Sequence, residues 1–124
     1  MMGGPMILAF NLNAATLTGI NAICNALGLR CKAISREGFT LPLGAMLGIP
    51  VSAAPMASEN FDEPMLVMCN LNEEQFNSFL EALRRAPLPR IDLKAVLTPT
   101  NVGWSACQLY AELCREREAF RRSK

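Results

Sequence analysis

Five cysteines and no histidine set the chemical range of this 124-residue chain. Cys24, Cys31, Cys69, Cys107 and Cys114 are odd in number, contain no Cys-x-x-Cys pair and mostly fall within apolar runs. A disulfide framework or a zinc site would need paired spacings, and zinc sites usually add His. The thiols are therefore expected to be reduced, buried and structural. Absence of His also removes the common nucleophilic triads, so no catalytic residue, no metal ligand and no cofactor is assigned. The acidic cluster Glu59, Asp62 and Glu63 reads as a solvated loop. Gly44 and Gly48 in "PLGAMLG" lack the Lys and hydroxyl of a phosphate loop and read as turn and close-packing residues.

The richest polar stretch is "LKAVLTPTNVGWS", Leu93 to Ser105, which ends beside the only Trp. Lys94, Thr98, Thr100, Asn101 and Trp104 are the binding candidates, since together they offer a cation, two hydroxyls, an amide and an aromatic wall. Each also has a structural reading. Pro99 cannot donate to a ladder and stops a strand, and Thr100 or Asn101 can cap a helix running from about Val102 towards Arg122. Trp104 heads an apolar stripe through Cys107, Tyr110 and Cys114. The expectation is that the stretch mainly ends a strand, starts a helix and anchors it.

Overall electrostatics narrow the partners. A net charge of +1 provides no general field for nucleic acid or an anionic membrane. Arg84, Arg85 and Arg90 form a basic edge, while Arg115, Arg117, Arg121, Arg122 and Lys124 interleave with Glu112, Glu116 and Glu118 as a solvated helix face would. Sheet-face RNA binding needs aromatics on the central strands, and the third strand reads "MLVMC". No nucleic acid is expected. No stretch approaches the roughly 20 apolar residues of a membrane span, and "MMGGPMILAF" has no basic leader region, so no membrane and a cytoplasmic location are expected.

The elements that must position these residues come from an internal repeat. "PMILAFNLN" (Pro5 to Asn13) matches "PMLVMCNLN" (Pro64 to Asn72), and after a short insertion "CKAI" (Cys31 to Ile34) falls over "LKAV" (Leu93 to Val96). Each copy reads as strand, helix, strand. Asn13 caps the first helix, Leu17, Ile20, Cys24 and Leu27 form its stripe, and Gly28 ends it. Asn72 caps the second with Gln75 at the capping-box position, and Phe76, Phe79, Leu80 and Leu83 form the stripe. Met6 to Phe10 and Met65 to Cys69 are unbroken apolar runs suited to central strands, whereas "RCKAIS" and "IDLKAVL" alternate as edges do.

With 51% apolar and 19% charged residues, the chain is expected to be one domain: repeat one 5–35, connector 36–63, repeat two 64–98 and a C-terminal helix at about 100–122. The expected class is α+β, a duplicated βαβ in a ferredoxin-like sandwich of strand order 4-1-3-2. The alternative is an α/β three-layer parallel sheet of order 2-1-3-4. Connector residues Leu43 to Leu47 could form a short helix, and the connector or the C-terminal helix would cover the second sheet face.

"LPRIDLKAVLTPTNVGW" with "LYAEL", "PMLVMCNLNEEQFNSFLEALR" and "LPLGAMLG" resembles the bacterial domain of unknown function family 3783. The resemblance covers most of the chain, is most specific from Pro89 to Leu113, and implies a small bacterial cytoplasmic protein without an assigned activity. Lack of His and of a paired acid and base points to a non-enzymatic binding or regulatory module. Its partner would be a second copy (a homodimer) or another protein, met through an apolar sheet face or the C-terminal helix. The competing expectation is a small-molecule-binding protein or enzyme, ligand unknown, with a pocket between the connector and the Thr98 to Trp104 turn.

Overall fold

The computed structural model describes residues 4–48 and 61–122. In chain order the elements are β1 (Met6–Phe10), α1 (Ala14–Leu27), β2 (Arg30–Ile34), a 3-10 turn (Arg36–Gly38), α2 (Leu43–Met46), β3 (Met65–Cys69), α3 (Glu73–Arg85), β4 (Leu93–Val96) and α4 (Ala106–Arg122). They divide into two units, residues 4–34 with 63–97, and residues 35–48 and 61–62 with 98–122.

The first unit is an α+β layer built on one sheet of order β2-β1-β3-β4. β1 runs parallel to β2 and β3 parallel to β4, while the central pair, β1 and β3, is antiparallel. Ile7, Ala9, Leu66 and Met68 share one face with Ile20 and Cys24 of α1 and Phe79 of α3, all in one buried cluster. α1 and α3 also pack on each other. On the other face of the central strands Leu8, Phe10, Met65, Val67 and Cys69 are fully buried as well. Strands covered on both sides carry no polar alternation, which is why these two segments are unbroken apolar runs.

The Asn-Leu-Asn frames have a backbone explanation. Asn11 and Asn70 both take φ of 61°, the left-handed conformation that Asn tolerates better than most residues with a Cβ. Leu12 and Leu71 then turn onto the core. Asn13 and Asn72 follow as N-caps, accepting from Thr16 N–H and Gln75 N–H at 2.8 Å each. In the second frame Gln75 returns the bond to the Asn72 N–H at 2.9 Å and completes a capping box. Gly28, at φ 73°, closes α1, and the chain enters β2 after only Leu29.

The strand order corrects the ferredoxin-like expectation, which places the fourth strand beside the first. It also corrects the parallel alternative, because the order 2-1-3-4 occurs with an antiparallel centre. Hydrophobic patterning says which strands are central but not which edge each joins. The two-residue link at Gly28 and Leu29 delivers β2 directly beside β1, with Arg30 N–H bonded to Pro5 O at 3.2 Å. In the central pair Leu8 lies opposite Val67, the same position in the two frames.

The sequence match between "CKAI" and "LKAV" is one residue out of step with the ladders. Cys31 pairs with Ile7, whereas Lys94 pairs with Leu66, the residue matching Ile7. A one-residue slip along a strand moves a side chain to the opposite face. Lys94 therefore stands on the helix-covered side of β4, as Cys31 does in β2, and Lys32 stands on the other side.

The second unit is organised around aromatic stacking. Phe39 stacks on Phe61 at 4.8 Å, and Phe61 on Tyr110 at 4.3 Å with an interplanar angle of 7°. Arg36 lies 6.0 Å over the Phe39 ring, donates to Phe61 O at 3.2 Å and pairs with Asp62 at 2.7 Å. The short connector helix is present as α2, with Leu43, Gly44 and Met46 buried. α4 begins at Ala106, later than the expected start near Val102. Its cap is Ser105, which accepts from Gln108 N–H at 3.1 Å while Gln108 Oε1 accepts from Ser105 N–H at 3.0 Å. Ser105-x-x-Gln108 is a capping box, a stronger start signal than Thr100 or Asn101, and it corrects the assignment of the cap to them.

Candidate functional site

The feature with the makings of a site is a groove in the first unit where α3 gives way to β4. It has a volume of about 550 Å³, within the usual range of ligand pockets. Leu80 and Leu83 come from the α3 stripe, and Leu88 and Ile91 from the connection that follows. The two βαβ units differ in this connection. The link from α1 to β2 needs only Gly28 and Leu29, while that from α3 to β4 uses Ala86 to Asp92, held out of helix by Pro87 and Pro89.

Cations ring the aliphatic floor. Arg84, Arg90 and Lys94 all line the groove. Arg84 shares Glu81 with Arg85, and Arg90 pairs with Asp92 at 2.7 Å. These partners are exposed, with Arg90 90% accessible, so the pairs are weak and exchange readily. Lys94 donates to the Ile91 carbonyl at 2.6 Å and has no carboxylate partner among the ion pairs of the described residues. Counting Arg84, Arg85, Arg90 and Lys94 against Glu81 and Asp92 leaves two positive charges over an apolar floor.

The other candidates named from the sequence sit in the second unit as a turn. Asn101 is buried and its Oδ1 accepts from Thr98 N–H at 2.8 Å, while Thr98 Oγ1 accepts from Asn101 N–H at 3.1 Å. Val102 N–H reaches Thr98 O at 3.0 Å, so Thr98 to Val102 form a single helical turn with Pro99 at its first position. Thr100 is exposed and Trp104 half-buried. The connector meets this turn through backbone: Leu43 N–H donates to Trp104 O and Gly44 N–H to Val102 O, both at 2.8 Å, and Pro42 bridges Ser105. Lys94 thus belongs to the groove and is separated from the other four.

Two further depressions offer less. One, about 380 Å³, lies where β3 and β4 end and includes Asn70, Glu73 and Val96. Glu73 and Glu74 in the first turn of α3 already complement the helix dipole and repel an anion there. The other is bounded only by the surface of α4 at Arg115, Glu118, Ala119 and Arg122. Glu59 of the acidic cluster lies outside the described residues, Asp62 is engaged by Arg36, and the Glu63 carbonyl accepts from Asn11 Nδ2 at 3.3 Å. The described residues contain no group of three or more His, Cys, Asp or Glu suited to a metal ion.

None of the five cysteines is in a disulfide. Burial pushes Cys69 up to about 12. Cys24 is also raised, first by its hydrogen bond to Cys31, then by burial and the neighbouring Cys31 charge. The same bond lowers Cys31.

The groove's aliphatic and proline residues were not among the sequence-derived candidates. The signal available was the longer "RAPLPRID" connection relative to "NALGLR".

No helix of the described residues is long and apolar enough to cross a membrane. Comparison with curated proteins and with solved structures finds no match. A family model does match, and the residues it covers include β3, α3, the groove, β4 and nearly all of α4. Residues 64–120 are similar to the family described as a domain of unknown function, DUF3783.

Proposed function

We propose that the protein is a non-enzymatic binding module that acts through protein-protein contact, and that the groove between α3 and β4 is where its partner docks. The observation that carries this reading is the position of Lys94. A Lys on the helix-covered side of an edge strand, beside Leu80, Leu83, Leu88 and Ile91, joins a fixed cation to an aliphatic surface. The matching occupant is a segment of another protein that presents a carboxylate next to aliphatic side chains. The carboxylate meets Lys94 and exchanges with Glu81 or Asp92 at the arginines, and the aliphatic residues cover the floor.

The groove is favoured over the apolar sheet face as the docking surface, since residues on both faces of β1 and β3 are buried. An enzymatic reading lacks a general acid and base at the groove, whose titratable side chains are all Arg and Lys.

Selection from a displayed library of random peptides tests the proposal. Enriched peptides should pair Asp or Glu with Leu, Ile or Val, and should lose binding to Lys94→Glu while that variant keeps the wild-type unfolding temperature. Enrichment of sequences without acidic residues, or equal binding to Lys94→Glu, overturns it.

A further inference from the structure

We propose that Cys24 and Cys31 form a reversible oxidation site within the first unit, in which hydrogen peroxide converts the two thiols into an intrachain disulfide. This stands apart from the groove and rests on the packing of α1 over β2. Cys31 pairs with Ile7 and so projects to the face that α1 covers, and Cys24 is a buried member of that same cluster, with Cys31 packed against it. The tight return of the chain sets the two together: Leu29 N–H donates to the carbonyl of Cys24 itself at 2.8 Å, and β2 starts at the next residue. The two thiols influence each other as neighbours do: Cys31 raises Cys24, and Cys24 lowers Cys31.

Their environments assign different roles. Cys31 is partly accessible on an edge strand, and Cys24 is 1% exposed. A thiolate, not a thiol, attacks peroxide, and the Cys24 S–H stabilises a thiolate on Cys31. In the first step the Cys31 sulfur attacks one peroxide oxygen. An S–O bond forms, the O–O bond breaks, and hydroxide departs to become water on taking a proton from solvent. Cys31 is oxidised by two electrons to the sulfenic acid and the peroxide is reduced. The Cys31 charge that helps hold Cys24 protonated disappears in this step. In the second step the Cys24 sulfur attacks the Cys31 sulfur. The S–S bond forms, the S–O bond breaks, and the hydroxyl leaves as water with the proton from Cys24.

The other cysteines provide internal comparisons. Cys69 is fully buried in a central strand and held protonated, so it should react last. Cys107 is 4% exposed and Cys114 is half-buried, both in α4, in the other unit.

The test treats folded protein with a small excess of hydrogen peroxide, blocks remaining thiols by alkylation, and maps peptides by mass spectrometry. The Cys24–Cys31 linkage should be the first product, and dithiothreitol should restore both thiols. Cys31 should be consumed at least about tenfold faster than Cys69, as their difference in thiolate character requires. In Cys24→Ser, a dimedone adduct should accumulate on Cys31 and no intrachain linkage should form. In Cys31→Ser, at a half-buried edge position, Cys24 should remain reduced. Should Cys24→Ser fail to fold, wild type and Cys31→Ser still decide the matter. Oxidation of Cys31 no faster than Cys69, a first linkage through Cys114, or loss of Cys24 thiol in Cys31→Ser overturns the proposal.

Discussion

Replacing Asn70 by Gly and by Ala separates the backbone role of the Asn-Leu-Asn frame from any side-chain role. Asn70 is exposed, with φ of 61°. Gly adopts this conformation without a Cβ penalty, whereas a non-glycine residue pays roughly 1–2 kcal/mol, reduced for Asn by its short polar side chain. Asn70→Ala should therefore lose about 1 kcal/mol, and Asn70→Gly should be within about 0.5 kcal/mol of wild type. For a chain of this length 1 kcal/mol corresponds to about 3–5 °C in the unfolding midpoint. Asn72→Ala, which removes the cap bond of 2.8 Å to Gln75 N–H but keeps the backbone N–H from which Gln75 Oε1 accepts, should lose about 1 kcal/mol by a different route. Asn11→Gly should lose more than Asn70→Gly, because Asn11 Nδ2 also donates to the Glu63 carbonyl. Thermal unfolding followed by circular dichroism reads all four. If Asn70→Gly is as destabilised as Asn70→Ala, the left-handed turn is not what the frame is for.

The remaining predictions use the same measurements. Ser105→Ala should lose about 1 kcal/mol as the cap of α4, and exposed Thr100→Ala almost nothing, which equal shifts would contradict. A Cβ at Gly19 would lie 2.6 Å from Leu88 Cδ2, so Gly19→Ala should stabilise by up to about 1 kcal/mol in a Leu88→Ala background and by less in wild type. Additive effects in that double-mutant cycle would refute the close approach. Phe79→Ala, fully buried between α3 and the sheet, should lose about 3–5 kcal/mol in chemical denaturation, and a loss under 1 kcal/mol would displace it from the core. Because the Cys24 hydrogen bond lowers Cys31, its alkylation rate should reach half-maximum below the ordinary thiol pKa of about 8.5, and a profile centred at or above that value would contradict the pairing.

What was legible in the sequence was whatever chemistry decides locally. Asn13, Asn72 with Gln75, and Gly28 name the helix ends because free amides and a left-handed residue require those side chains. The unbroken runs at Met6 and Met65 name the central strands because burial on both faces permits no polar alternation. Strand adjacency was not legible, since either edge satisfies the same pattern and the choice rests on how far a two-residue link can carry the chain. The start of α4 was misplaced because Thr-Pro-Thr-Asn forms its own one-turn cap, and the capping box at Ser105 and Gln108 lay just beyond it. Lys94 was named as a binding residue, but its face was hidden. Matching "CKAI" to "LKAV" placed it with Lys32, and only the ladder register shows the single-residue slip that turns it towards α3.

The most direct test of the docking proposal is a two-dimensional amide NMR titration of the labelled protein with a selected acidic-aliphatic peptide. Docking in the groove predicts saturable shifts concentrated between Leu80 and Lys94, abolished in Lys94→Glu, with the amides of Thr98 to Ser105 unmoved. Shifts centred on Thr98, Asn101 and Trp104 with the groove silent would contradict it and would place binding at the turn instead.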